Sequence, residues 1–345
     1  MEVETHSAAP SIAPSYQGDL TDWSQVASFE GEGVGVLGLV HGPAGYVAIG
    51  NDRADDAPRG RVWRSSDGVS WELLAPSDVF ARAYLTHVVV ASDGQYLAFG
   101  RIEDVSHTFD EVPLAVWESA DGRSWRRTQP GLPPDLGSVG VVAGGKGYLL
   151  AGVRFDQLRH ELWLSADART WEMVRELPAI SHGTSIGAGP EGFIAAGSRE
   201  SAPYVIASGD GRAWFEAAPV LNLGLVPAIA PLGADWIMAR GLSNGVPIWF
   251  SPNGLDWEPV ATFGNEFELN NLVSTGERVF AQLTVLGEHP AVLPAGVWSS
   301  TNGTSWEEID AAADVSLGGV ASSGDTTVLA GTGPEGAVFI ARRSR

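Results

Sequence analysis

A turn motif recurring six times, a strand motif recurring seven times and a surplus strand sequence near the N-terminus predict an all-β fold. The architecture predicted is a seven-bladed β-propeller of four-stranded antiparallel blades, with the ring closed by the N-terminal strand. At 345 residues the chain is long for one average domain. Repeat architectures escape that limit because they grow by adding units.

The first element is Met1 to Gly18, rich in Ala, Ser and Pro and without periodicity. It reads as a flexible leader of the kind that follows an export signal or lipid anchor, so a secreted or cell-surface location in bacterial style is expected. Residues 19–345 read as a single propeller. Residues 19–29 come next, where Leu20-Thr21-Asp22-Trp23-Ser24-Gln25-Val26 resembles Leu255-Asp256-Trp257-Glu258-Pro259-Val260. This segment supplies the outer strand that the last blade lacks, because the chain stops after a third-strand sequence, Val338-Phe339-Ile340-Ala341. Closure removes the exposed sheet edges that invite aggregation. The blades then fall at about 33–75, 84–128, 138–175, 183–218, 225–261, 268–310 and 316–343.

Within blade 1 the strands are expected at Val34 to Val40, Tyr46 to Gly50, Arg61 to Ser65 and Ser70 to Leu74. Short lengths, apolar alternation and turns at close intervals fit an antiparallel meander. No segment carries sustained helical spacing with caps, so almost no helix is expected. The strand motif is a Gly-containing turn, an aromatic or aliphatic residue and a short apolar run, as in Gly45-Tyr46-Val47-Ala48-Ile49-Gly50.

The turn motif joins the third and fourth strands. Its copies are Ser65, Asp67, Gly68 and Trp71; Ser119, Asp121, Gly122 and Trp125; and Ser165, Asp167 and Trp171, with Ala168 in place of glycine. Three more follow: Ser208, Asp210, Gly211 and Trp214; Ser251, Asn253, Gly254 and Trp257; and Ser300, Asn302, Gly303 and Trp306. Glycine after Asp tolerates the positive φ of a tight turn, and the Ser and Asp oxygens accept hydrogen bonds from the turn's amides. The indole then packs between neighbouring sheets. These residues are structural, and Ala168→Gly is expected to relieve strain.

The motif resembles the Asp-box, or bacterial neuraminidase repeat, Ser-x-Asp-x-Gly-x-Thr-Trp, but lacks the residue between Asp and Gly. The resemblance covers the whole folded chain and implies a sialidase-like or sortilin-like propeller. It implies no one function, because Asp-box propellers include sialidases, other glycoside hydrolases, sorting receptors and photosystem assembly factors. In those families the box lies at the blade periphery, away from the active site.

A formal charge of -21 argues against nucleic acid and anionic membranes as partners. With no cysteine, thiolate catalysis and cysteine metal sites are excluded. No apolar run is long enough to span a bilayer as a helix.

Loops between second and third strands share a face with the loops between blades, and that is where a ligand is expected. The long ones are Asn51 to Gly60, Arg101 to Leu114 and Leu283 to Ala295. Arg53, Arg101, Arg154, Arg199 and Arg240 end second strands in five blades and could converge on a carboxylate. The plainer reading pairs them with Asp52, Glu103, Asp156 and Glu200. Glu103, Asp104, Asp110, Glu111 and Asp156 are the carboxylates a glycosidase pair would draw on. No Arg-Ile-Pro segment occurs, and Tyr84 and Tyr204 show no acidic partner by spacing, against a sialidase.

Gly33-Val34-Gly35-Val36-Leu37-Gly38 and Gly183-Thr184-Ser185-Ile186-Gly187 spell nucleotide and nucleophile motifs, but in strand contexts that cannot serve them. The acidic run Asn51 to Asp56 lacks the spacing of a calcium loop. His87, His107, His160, His182 and His289 fall near the expected ligand face without metal-ligand spacing, so no metal and no cofactor are expected. Two functions remain open: a monomeric recognition or scaffold module for a glycan, peptide or protein, and a glycoside hydrolase.

Overall fold

The computed structural model describes residues 23–29, 35–54, 57–75, 77–102, 114–129, 131–154, 159–177, 182–199, 202–218, 227–241, 245–285, 293–312, 314–333 and 338–344. Their strands form seven four-stranded antiparallel sheets. Strand β1 (Trp23–Phe29) opens the chain. Blade 1 is β2 (Gly35–Gly42), β3 (Gly45–Ala54), β4 (Ala57–Ser65) and β5 (Glu72–Leu73). Blade 2 is β6 (Ala83–Val90), β7 (Tyr96–Ile102), β8 (Leu114–Ser119) and β9 (Arg126–Thr128). Blade 3 is β10 (Leu136–Gly144), β11 (Gly147–Arg154), β12 (Arg159–Ser165) and β13 (Glu172–Glu176). Blade 4 is β14 (His182–Ala188), β15 (Phe193–Arg199), β16 (Ala202–Ser208) and β17 (Phe215–Glu216). Blade 5 is β18 (Ala228–Leu232), β19 (Asp235–Ala239), β20 (Val246–Ser251) and β21 (Glu258–Phe263). Blade 6 is β22 (Phe267–Ser274), β23 (Val279–Val285), β24 (Leu293–Ser300) and β25 (Glu307–Glu308). Blade 7 is β26 (Ser316–Ser323), β27 (Thr326–Thr332) and β28 (Val338–Ser344), with β1 as its outer strand.

Ring closure is therefore as the sequence predicts. Trp23 pairs with Arg343, and the ladder runs on to Phe29 opposite Val338. Two short 3₁₀ turns, Asp78–Phe80 and Asp310–Ala312, are the only helical segments among the described residues.

Second strands form the core. Tyr46, Val47, Ala48 and Ile49 are all buried, as are Tyr96, Leu97, Ala98 and Phe99. Each is covered on both sides by adjacent blades, so it reads as a continuous apolar run rather than the alternation expected. Fourth strands are shorter than expected, only Glu72–Leu73 in blade 1, because Ser70 and Trp71 belong to the turn. The expected loop Asn51 to Gly60 is mostly strand: β3 runs to Ala54 and β4 starts at Ala57. Likewise β23 runs to Val285 and β24 starts at Leu293, shortening the loop expected at Leu283 to Ala295.

The six turns are capped as their residues predict. Gly68 N–H donates to Ser65 Oγ at 2.8 Å, and the amides of Val69 and Ser70 donate to Asp67 Oδ1 at 2.8 Å each. Asn253 and Asn302 do the same work, each accepting two amides at 2.9 Å, because one side-chain oxygen suffices. The indoles of Trp125, Trp214, Trp257 and Trp306 donate back to the carbonyl of their own turn glycine at 2.9–3.1 Å. Backbone amides hold Asp121 and Asp167 well below the usual carboxylate range, at about 2.

Candidate functional site

Turns after first and third strands lie on one face, and second-to-third connections with the inter-blade linkers lie on the other. The second is the loop face. Near it the innermost strand shifts register in six blades, for example between Leu85 and His87, and between Leu317 and Gly319. Bulges leave backbone groups unpaired, and neighbouring blades supply the partners. Asn51 accepts from Leu85 N–H at 2.7 Å and donates to its carbonyl at 2.8 Å. Gln282 accepts from Leu317 N–H at 3.0 Å while Asn271 donates to its carbonyl at 2.9 Å. Thr332 Oγ1 accepts from Val36 N–H at 3.0 Å. These clamps fix the rim of the axis, and only their polarity inside apolar runs could have signalled them.

Arg154 lies 2.6 Å from Asp135 and 3.6 Å from buried Glu161. Arg101 stacks over Tyr84, 4.7 Å from the ring centroid. Arg240 is half-buried, and burial pulls its pKa down while Glu268 opposes the shift. His160 Nδ1 lies 3.0 Å from Thr184 Oγ1 of blade 4, and burial lowers its pKa. Arg53 and Arg199 sit at the ends of β3 and β15. Glu103, Asp104, Asp110, Glu111 and Asp156 lie outside the described residues.

The expected ion-pair partners need correction where they are described. Asp52 pairs with Arg61 at 2.5 Å, across the hairpin, and Arg154 takes Asp135 and Glu161. Strand alternation explains the difference: Arg101 is one residue past Gly100 and Arg154 two past Gly152, so they face opposite sides of their sheets. His87 stands near the loop face, beside the bulge between Leu85 and His87. It lies in β6, where an added Cβ on Gly140 of blade 3 would come 3.7 Å from Nε2. Burial pushes its imidazole down to about 4, and Nδ1 has no hydrogen-bond partner among the described residues. Among the described residues no group of three His, Cys, Asp or Glu is placed to hold a metal ion. Nor is any helix there long and apolar enough to cross a membrane.

The fold and this rim define a closed seven-bladed β-propeller with a polar loop face. No family model and no curated protein matches the chain. Among solved structures it is similar to the uncomplexed acylaminoacyl peptidase of Pyrococcus horikoshii. Identity is 9%, the TM-score is 0.53, and the match covers 86% of this chain and 50% of that one. The orthorhombic form of that peptidase gives 8% and 0.54 over 87% and 49%. The α-L-arabinanase of Penicillium chrysogenum complexed with arabinobiose gives 13% and 0.49 over 94% and 98%. The chain spans about half the length of the peptidases it matches. At these identities the likeness shows the fold alone.

Proposed function

We propose that the protein is an exported, non-catalytic recognition or scaffold propeller of the Asp-box kind. It acts as a monomer and takes a glycan, peptide or protein partner on its loop face. One observation carries the reading. Three described loop-face carboxylates, Asp52, Asp135 and Glu161, each have an arginine partner. A carboxylate tied to a guanidinium is poor at shuttling protons but holds a rim rigid for recognition. Arg101 over Tyr84 and His160 beside Thr184 add donors and an aromatic surface to that rim. The capped turns support the Asp-box reading, and the charge of -21 speaks against nucleic acid.

The rival is a glycoside hydrolase, for which Glu103, Asp104 and Asp156 are the candidate acids. A panel of fluorogenic glycosides separates the two. The proposal expects no turnover. Hydrolysis abolished by Glu103→Gln, Asp104→Asn or Asp156→Asn overturns it.

A further inference from the structure

We propose that the outer seam between blades 4 and 5 is a docking surface for a partner protein segment in which a leucine or an aromatic side chain stands beside lysines or arginines. Two positions recur at the outer edge of each seam: the first residue of a fourth strand, and the residue after the turn glycine (or Ala168) of the next blade. In the first three seams both are charged. Glu72 of blade 1 pairs with Arg123 of blade 2. Between blades 2 and 3 the positions hold Arg126 and Arg169, and both pair with buried Glu118, Arg169 at 3.5 Å. Glu172 of blade 3 takes Arg212 of blade 4 on both oxygens, at 2.7 and 2.8 Å.

The 4/5 seam has neither charge. Its fourth strand β17 opens with Phe215, and Leu255 follows the turn glycine of blade 5. Phe215 pairs with Ala207, so the two share a sheet face. That face looks toward blade 5: a Cβ on Gly254 would meet Ala207 Cβ at 3.0 Å, and Leu255 packs, partly buried, against the cluster that holds Ala207. Among the seams from blade 1 to blade 6 this is the one with both positions apolar; at 5/6 they are Glu258 and Thr304. A lone exposed phenylalanine is ordinary. Phe215 differs because it stands where a charge would clasp the seam. It is also 61% exposed, more than any other large hydrophobic side chain among the described residues.

The charges around the patch favour one kind of partner. Asp256, next to Leu255, and Glu258, at the start of β21, are both exposed. Asp256 accepts from Asn253 Nδ2 at 2.8 Å, but among the described residues no lysine or arginine pairs with either carboxylate. Arg212, in the blade 4 turn, is held by Glu172 on the blade 3 side. Exposed aromatic side chains are the anchors from which interface hot spots are built. Unmatched carboxylates beside such an anchor complement an apolar residue with basic neighbours. A second copy of this chain fits poorly, because two molecules of charge -21 repel each other.

The test is fluorescence anisotropy with the whole chain and short labelled peptides that carry one leucine or phenylalanine among lysines and arginines. Matched peptides replace the apolar residue with serine, or the basic residues with glutamates. The parent should bind the first set at least about tenfold more tightly than either control. Phe215→Glu combined with Leu255→Arg installs the clasp of the 3/4 seam. It should abolish that preference while leaving the melting temperature unchanged or higher. Phe215→Ser, a single change at an exposed site, should weaken binding in the same direction. Arg101→Ala, on the loop face, should leave this binding intact, which separates it from the loop-face proposal. Equal binding of the serine peptides overturns the inference, because the acidity of the whole chain then accounts for it. So does a failure to bind any of the peptides, binding that survives both Phe215 variants, or a dimer in sedimentation that Phe215→Ser abolishes.

Discussion

At the residue scale, the turn glycines show how one position answers two demands. Gly122 has φ 68°, and a Cβ there would press Val47 at 2.6 Å. Gly122→Ala is therefore expected to cost about 1–3 kcal/mol, from backbone strain plus overpacking, measured by denaturant unfolding. Ala168 shares the conformation, with φ 60°, yet its methyl is buried with Leu97, Phe99 and Trp171. Relief of strain worth about 1 kcal/mol is then offset by about 0.8 kcal/mol of lost methyl burial and by the entropy of glycine in the unfolded chain. Ala168→Gly should give no rise in melting temperature, contrary to what the turn motif alone suggests. A rise above about 2 °C would show that strain outweighs packing. The positive φ was legible from the motif because turn chemistry is local. The buried methyl was not, because Leu97 and Phe99 come from blade 2.

At the element scale, the closing strand has the largest consequences. Trp23 packs with Phe280, Ile309 and Val315, while Val26, Ala27 and Phe29 pack with Val328 and Ile340. Removing residues 19–29 leaves the β28 edge unpaired and opens both clusters. Such a variant should melt far below the parent or be recovered only as aggregate, and a melting curve near the parent's would disprove closure by this strand. Blade number, strand order and this closure could all be read from spacing, because each blade repeats the same local punctuation. The register of the arginines could not. A one-residue offset between Arg101 and Arg154 sends them to opposite sheet faces, and the sequence alone does not say which neighbour awaits.

At the scale of the whole molecule, titration follows burial. His87 binds a proton only near pH 4 when folded, against 6.5 for its ordinary value, so the unfolded chain holds more protons in between. Stability should then fall as pH drops from about 6.5 to 4, by up to about 3 kcal/mol from this group. His160 and His41 are also lowered by burial and act with the same sign. The aspartates of the turns, held down to about 2 at Asp121 and Asp167, lose their contribution only below about pH 4. Melting temperatures of the parent and His87→Gln between pH 7 and 4.5 should diverge, with the variant declining less. Parallel curves would count against the buried imidazole.

The pairing of Trp23 with Arg343 also sets a timetable. During synthesis β1 must wait, without its ladder, until β28 leaves the ribosome, some 300 residues later. Contacts so distant in sequence form slowly. Six blades can assemble as the chain emerges, but the seventh must wait for β28, and until then the nascent protein has an unguarded flank for chaperones to cover.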